Sequence, residues 1–287
     1  MGKRPDHHEI PKHYLRGFCE PNTSFVWVFE RSRPFGPGIK SGANNPVKRG
    51  LRLVALRPDG YAARTINGKT HYKYEDALQK LELRATPAIN KTRAFEEIDA
   101  AEKESLAGYV LLTLKRLTIR DATILSQVKM AKLKIVEVAE REMRKAALEG
   151  EFAKAIEMQR QAAYWESEGD RQFLRDSMIG DIGMVKRYLT ARPWEFVIAP
   201  PGYYFVTCDN PIGNAGLARS LIFPLSQDVV LRYAFDGQDL AYRQATSEEM
   251  FSINGYIISH AEKEIYSPRP DEWIHKQWVE GELRDGH

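Results

Sequence analysis

The chain has 287 residues, of which 43% are apolar and 28% charged, as is ordinary for a globular protein of one large or two modest domains. No run approaches the roughly 20 apolar residues that a membrane-spanning helix needs, and the amino terminus lacks the apolar core of a secretory signal. The two cysteines, Cys19 and Cys208, exclude a disulfide framework and a zinc spacing. We therefore expect a cytoplasmic protein with reduced thiols.

The net charge of +3 hides an uneven distribution. Residues 1–70 contain 13 Lys+Arg against 5 Asp+Glu, a local balance of +8, whereas residues 201–287 contain 7 against 13, a balance of −6. Two interpretations stay open. A nucleic acid or another phosphate-bearing ligand binds the basic amino-terminal region, or the two ends of the chain pack together and attract each other.

The first seventy residues predict short strands and loops. Residues 25–29 (Phe-Val-Trp-Val-Phe) are typical of a buried strand, and the Pro- and Gly-rich residues 33–49 are typical of a loop. Residues 51–56 and 61–66 flank the turn tripeptide Pro-Asp-Gly at 58–60, which predicts a hairpin.

The central part of the chain predicts helices. Apolar residues recur at helical spacing from Leu78 until Pro87, where we expect the first helix to be interrupted. Asp99 followed by Glu102 is a capping pair that opens a second helix. Residues 121–148 contain neither Pro nor Gly and predict one long helix.

The next segment predicts a partner for that helix. Residues 152–168 form a helix closed by Gly169, and the connection at 149–151 (Glu-Gly-Glu) makes the pair a helical hairpin. Such a hairpin could mediate homo-oligomerisation, although plain core packing is the commoner use of its apolar residues.

Strands return after Trp194. Residues 195–199 and 203–207 are separated by Pro-Pro-Gly, which predicts a second hairpin. Three further strands are predicted, at residues 220–223, 229–235 and 251–259. A short terminal helix is predicted at residues 270–278. The order of strands, helices and strands predicts an α+β fold.

We expect one domain over residues 1–287. Strands from both ends should share a sheet, and residues 99–190 should form a helical insertion packed on it.

Two short blocks carry a family resemblance. Residues 7–18 read His-His-Glu-Ile-Pro-Lys-His-Tyr-Leu-Arg-Gly-Phe, and residues 207–211 read Thr-Cys-Asp-Asn-Pro. They resemble the signature of domain of unknown function 4238, a family of uncharacterised bacterial proteins with a His-x-x-Pro-x-x-Tyr-Leu-Arg-x-Phe start and a late Asp-Asn-Pro turn. Further similar segments lie between and after these blocks, at residues 27–31, 74–82, 223–226 and 253–267. The resemblance implies no activity.

The first block supplies two candidate site residues. His8 could be a general base or a metal ligand, but a histidine beside apolar anchors is more often a hydrogen-bonded core residue. Arg16 has a rigid fork of donors that suits a carboxylate or phosphate, and an internal salt bridge to Glu82 or Asp209 explains it equally well.

The second block supplies a possible catalytic turn. Asp209 could be a general base or metal ligand, and Asn210 could orient a substrate or stabilise an oxyanion. Asp-Asn-Pro is also an ordinary turn whose side chains bind backbone amides, and turn propensity alone favours that interpretation. Cys208 is expected to be a small buried residue.

Glu82 and Asn254, the latter expected on a strand, complete the candidate set as substrate-binding residues. If the set converges, it is suited to metal-assisted hydrolysis, with a divalent metal as the cofactor. The motifs of zinc proteases, P-loop enzymes, α/β hydrolases and dinucleotide oxidoreductases are missing from the sequence.

Two functional hypotheses follow. The first is a hydrolase acting on a phosphate-bearing or nucleic-acid substrate, with His8, Asp209 and Asn210 as the catalytic residues. The second is a non-catalytic module that binds a ligand in the same pocket or a protein on the helical hairpin. Whether the protein is an enzyme stays open.

Overall fold

The structure is a computed structural model that describes residues 6–8, 10–32, 46–58, 63–64, 70–71, 73–118, 122–179, 186–187, 189–212, 221–234 and 237–285. It combines a helical block with two four-stranded sheets, which confirms the predicted α+β fold.

The amino-terminal segment forms short strands and turns. In chain order these are β1 (Asp6–His8), α1 (Lys12–Leu15), a 3₁₀ turn (Arg16–Phe18), β2 (Phe25–Glu30), β3 (Val47–Gly50), a 3₁₀ turn (Leu51–Leu53), β4 (Leu56–Pro58), β5 (Ala63–Arg64) and β6 (Thr70–His71). Because β4 pairs with β1 and β5 pairs with β6, the predicted hairpin of residues 51–56 and 61–66 is wrong. Turn residues indicate a chain reversal, but strand partners are chosen by the whole fold.

Four helices follow: α2 (Lys73–Arg93), α3 (Ala100–Thr118), α4 (Ala122–Leu148) and α5 (Phe152–Ile179). The predicted interruption at Pro87 is wrong, because α2 continues through it. Its buried face extends beyond the proline to Ala88 and Ile89, so packing outweighs the local penalty. The predicted start of α3 is confirmed: Glu102 N donates to Asp99 Oδ1 (2.8 Å), and Asp99 N donates to Glu102 Oε2 (3.0 Å).

The long helical hairpin of α4 and α5 is also confirmed. Gly150 adopts a φ of 77° in the connection, a left-handed conformation that glycine reaches without strain. The predicted end at Gly169 is wrong, because α5 continues to Ile179.

The carboxy-terminal segment contains β7 (Trp194–Ile198), β8 (Thr207–Cys208), β9 (Ile222–Pro224), β10 (Val229–Tyr233), β11 (Ala241–Gln244), α6 (Ser247–Ser259), β12 (Glu264–Ser267) and α7 (Glu272–Asp285). The second predicted hairpin is wrong, since β7 pairs with β10 and β11, whereas β8 pairs with β12. The terminal helix is confirmed as α7.

Residues 251–259 were expected to form a strand and instead lie in α6. Thr246 caps this helix, its Oγ1 accepting from Glu249 N at 3.2 Å. The buried residues of α6 follow helical spacing: Met250, Ile253, Asn254, Ile257 and Ile258. The helix therefore buries one face, as its cap and periodicity dictate.

One sheet joins the two ends of the chain. Its order is β3-β2-β12-β8, with antiparallel neighbours, so amino-terminal β2 and carboxy-terminal β12 are hydrogen-bonded side by side. This confirms the predicted shared sheet. The second sheet, β11-β7-β10-β9, is antiparallel except for the parallel pair β11 and β7.

Two apolar clusters form the core. The first joins α1 to α2, α3 and the second sheet, with Phe18, Trp194 and Phe223 among its largest buried side chains. The second lies between α6, α7 and the two sheets. In the part of the chain that the structure describes, no helix is both long and apolar enough to cross a membrane.

Candidate functional site

The first sequence block is anchored in the core. Tyr14, Leu15 and Phe18 are fully buried, as expected for its apolar residues. The Tyr14 ring stacks on Phe223 at a centroid distance of 5.4 Å and lies 6.4 Å from Tyr109. Such aromatic contacts fix α1 against the second sheet and α3.

The two sequence blocks meet at one hydrogen bond. The Tyr14 hydroxyl lies 2.8 Å from Thr207 Oγ1, across 193 positions of sequence. Burial raises the pKa of Tyr14 well above its ordinary value, so the phenol is neutral at physiological pH. The contact joins α1 to β8. This strand belongs to the sheet β3-β2-β12-β8 that both ends of the chain form, which we call the terminal sheet.

Arg93, at the end of α2, binds the backbone around this junction. Its guanidinium donates to Leu225 O (2.8 Å from Nη2), His13 O (3.1 Å) and Tyr14 O (3.0 Å). Burial lowers the pKa of Arg93 from its ordinary value, yet arginine keeps its charge in proteins. Gly17 makes room for this group, because an added Cβ would lie 2.6 Å from Arg93 Nη2.

The Asp209 carboxylate has a structural role, because it accepts hydrogen bonds from backbone amides. Asp209 is buried; its Oδ1 accepts from Glu262 N at 2.9 Å, and its Oδ2 accepts from Lys263 N at 3.1 Å. Its own N donates to Glu264 O at 3.0 Å. The side chain therefore closes the turn between α6 and β12, which favours the turn interpretation over the catalytic one.

Asn210 is different. It is buried beside Asp209, and its Oδ1 has no hydrogen-bond partner within the described ranges. Its catalytic role stays a prediction.

Asn254 connects α6 to the chain that leads into β8. It is fully buried on a helix, not on the expected strand. Its Oδ1 accepts from Val206 N (3.0 Å), and its Nδ2 donates to Tyr204 O (2.9 Å) and contacts Met250 Sδ (2.8 Å). The amide thus supplies the bonds that a neighbouring strand would supply.

The other candidates are dispersed. The backbone of His8 pairs with Leu56 in β1, and its side chain, with its distance to Asp209, lies outside what the structure describes. Arg16 is exposed and makes no ion pair with any described residue. Glu82 Oε2 lies 3.9 Å from Nδ1 of His13, so the suggested salt bridge between Glu82 and Arg16 is not formed.

Sequence reasoning missed several residues of this junction. His13 was not a candidate, yet it is half-buried with its ring 5.4 Å from that of Tyr109. Arg93 was not singled out, because its three carbonyl partners are distant in sequence. Gly17 within the first block was the available signal, since a glycine directly after a short helix can indicate the close approach of another group.

The chemistry at the junction is mostly hydrogen bonding within the fold. Cys208 is buried, as expected, with Sγ 3.3 Å from Ile257 O. Among the described residues, no group of three or more His, Cys, Asp or Glu side chains is positioned to hold a metal ion.

Two sheets, one of them built from both ends of the chain, and a long helical hairpin define an α+β protein whose two sequence blocks meet at a buried joint. The chain belongs to the family described as protein of unknown function (DUF4238), whose model matches residues 6–271. No curated protein and no solved structure matches the chain.

Proposed function

We propose that the protein is a non-catalytic binding module that holds a protein partner on the hairpin of α4 and α5. The observation that carries the proposal is a row of large apolar side chains left exposed on one face of this hairpin.

Among the described residues of the hairpin, the side chains that are fully buried are all alanines. Ala139 and Ala146 are buried on α4, and Ala155 and Ala162 are buried on α5, each pair one heptad apart. The helices run antiparallel, with Lys132 Nζ donating to Glu166 O at 3.1 Å. Alanine rows allow close approach of the helices but bury little apolar surface. The larger apolar residues described in the hairpin are half-buried or exposed.

Three of the exposed larger residues, Leu133, Phe152 and Ile156, share one face, whereas exposed Met130, Val138 and Leu148 lie on other sides of α4. At about 100° per residue, Leu133, Val136 and Met143 lie roughly a quarter-turn from the alanine row of α4. Phe152 and Ile156 lie about a quarter-turn from the alanine row of α5. Because the helices are antiparallel, rows displaced in the same sense lie on the same side of the hairpin.

We call this surface the apolar face. Leu133 is 58% exposed, Phe152 70% and Ile156 51%, whereas Val136 and Met143 are half-buried. Exposed large apolar side chains that share one side of a helical hairpin are typical of an interaction site.

The hydrolase hypothesis finds less support. It needs Asp209 as base or ligand, and both oxygens of that carboxylate accept backbone amides. Binding of a nucleic acid or phosphate-bearing ligand rests on the charge of residues 1–70 and on exposed Arg16 alone. Neither observation defines a pocket with convergent groups, which a catalytic site requires.

Photo-cross-linking in cells that express the full chain tests the proposal. Phe152 is replaced by p-benzoylphenylalanine, and the matched control carries it at Val138, which is 53% exposed on another side of α4. We expect a discrete protein adduct from position 152, absent from position 138 and abolished by adding Ile156→Glu. No adduct at 152, or equal adducts at both positions, would refute the proposal.

A further inference from the structure

We infer that an aromatic cluster beside α6 and α7 binds a ligand that carries a quaternary ammonium group. The cluster consists of Tyr203, Tyr204, Phe251 and Trp273, none of which belongs to the hairpin of α4 and α5. The inference therefore goes beyond the proposed function. It is carried by the arrangement of the rings, by their exposure, by an arginine that already lies on the cluster and by the charges beside it.

Three parts of the fold supply the rings. Tyr203 and Tyr204 follow the Pro-Pro-Gly turn at 200–202, Phe251 lies in α6, and Trp273 lies in the first turn of α7. Tyr204 belongs to the second apolar cluster of the core, and Trp273 packs against that cluster. The ring centroids of these two residues are 5.7 Å apart. The aromatic cluster is therefore anchored in the core on one side.

Neighbouring rings of the cluster are nearly perpendicular. The Phe251 ring lies 5.9 Å from the Tyr203 ring at an interplanar angle of 84°, and 5.7 Å from the Trp273 ring at 89°. The ring faces therefore point in different directions and do not form one flat platform. Flat ligands such as bases stack on a single ring face, whereas a quaternary ammonium group is round and is held by rings that meet at an angle.

Three of the four rings are accessible to a ligand. Tyr203 is 42% exposed and Phe251 37%, and Trp273 is half-buried, whereas Tyr204 is buried. Aromatic faces carry the negative end of the ring quadrupole, so a cation placed over them is attracted. The exposed side of the cluster thus offers a cation-binding surface on an anchored base.

One cation of the chain already lies on the cluster. The guanidinium carbon of Arg269 is 5.3 Å from the ring centroid of Tyr204, and its Nη1 donates to Gly202 O at 3.4 Å. Among the described residues, no cation lies over the other three rings. The Arg269 contact shows that the cluster accommodates a cation, and it leaves the more exposed rings for a ligand.

The charges beside the accessible rings are negative on balance. Within four positions of Tyr203, Phe251 or Trp273 the sequence has four acidic residues against two basic ones, a balance of −2. They are Glu248, Glu249, Asp271 and Glu272 against Arg269 and Lys276. Glu249 is paired with arginines of the second sheet and Glu272 with Lys276, whereas Glu248 and Asp271 form no ion pair with a described residue. These charges favour a cationic ligand over a phosphate-bearing one.

Choline binding to the purified full chain tests the inference. Saturation-transfer NMR on the methyl signal of choline should give a dissociation constant of about 1–10 mM, as expected for a few partly exposed cation–π contacts. The neutral analogue, in which carbon replaces the charged nitrogen, keeps the shape and should bind at least about fivefold more weakly. A short peptide with one trimethyllysine is titrated in parallel. Tighter binding of the peptide identifies an ammonium group on a protein, and weaker binding identifies a free small molecule.

Phe251→Leu removes one ring and keeps an apolar side chain, so it should weaken choline binding about two- to fivefold and leave binding of the neutral analogue unchanged. Phe152→Leu, the same exchange at an exposed phenylalanine outside the cluster, should bind choline as wild type does. Circular dichroism melts show whether the variants are folded, and Tyr203→Leu is used should Phe251→Leu fail to fold. Choline that stays unbound at about 50 mM overturns the inference. So does equal binding of choline and its neutral analogue, or a folded Phe251→Leu that binds choline as tightly as wild type.

Discussion

Exchanging Asp209 for asparagine separates the structural role of this residue from the catalytic one. The carboxylate accepts two backbone amides, at 2.9 Å and 3.1 Å, in a buried turn. Asparagine keeps the volume but offers one acceptor oxygen, so one amide N–H would face the NH₂ group instead. Losing one charge-assisted bond and leaving a buried donor unpaired should lower the free energy of unfolding by about 2 kcal/mol.

In a chain of this size that loss corresponds to a fall in melting temperature of roughly 4–8 °C. Thermal melts of wild type and Asp209→Asn measure it, and Asp76→Asn, the same exchange at an exposed position, is the control. Both proteins are also screened on RNA, single-stranded DNA and small phosphoesters with Mg²⁺ or Mn²⁺. An unchanged melt, together with wild-type hydrolysis that Asp209→Asn abolishes, would refute the turn interpretation and establish the hydrolase.

Three further predictions concern the junction and the second sheet. Tyr14→Phe should cost about 1–2 kcal/mol in urea unfolding, because it leaves the buried hydroxyl of Thr207 without its partner. Gly17→Ala should cost about 1–3 kcal/mol, since its methyl group displaces Arg93, and an unchanged unfolding midpoint would contradict this. The hydrogen bond with Arg243 is the main cause that lowers the pKa of Glu249. The Glu249 carboxylate therefore stabilises the fold above its unfolded pKa near 4.5, and this stabilisation is lost as pH falls through the folded pKa. Glu249→Gln should therefore be less stable than wild type at pH 7, with a smaller loss of stability as pH falls below about 4.5; equal pH dependence of the two proteins would contradict it.

Local signals in the sequence predicted the elements that local interactions determine. The capping pair Asp99 and Glu102, and a Pro- and Gly-free run before Gly150, located α3 and α4. The same logic was available for α6, where Thr246 and Glu249 form the start of a capping box. The β-branched isoleucines between them and Ser259 suggested a strand instead, and the cap outweighs that propensity.

Strand pairing could not be predicted in the same way. Turn residues at 58–60 and 200–202 indicate reversals, and sequential strands are the usual partners. Here β8 pairs with β12 and β4 with β1 because buried side chains elsewhere decide which edges meet. The register of a strand and its choice of partner depend on contacts across the whole chain. A local sequence pattern carries no information about those contacts.

The candidate site shows the same limit for side chains. The residue types at Asp209 and Asn254 suit catalysis, but their roles depend on which groups surround them, and the structure surrounds both with backbone amides and carbonyls. Arg93 likewise binds three carbonyls that no sequence spacing relates. The two sequence blocks therefore act as a joint between α1, α2 and the terminal sheet, with their polar groups directed at the chain itself.

The contacts between the two sequence blocks hold together the segments of chain that the blocks belong to. The segment between the two blocks contains the hairpin of α4 and α5. Tyr14 contacts Thr207 in β8, and Arg93 contacts the carbonyl of Leu225, the residue that follows β9. Large apolar side chains on an otherwise polar hairpin are costly in water unless a partner covers them. An apolar surface that is held in place before binding suits a binding module, because a preorganised surface loses less entropy on association.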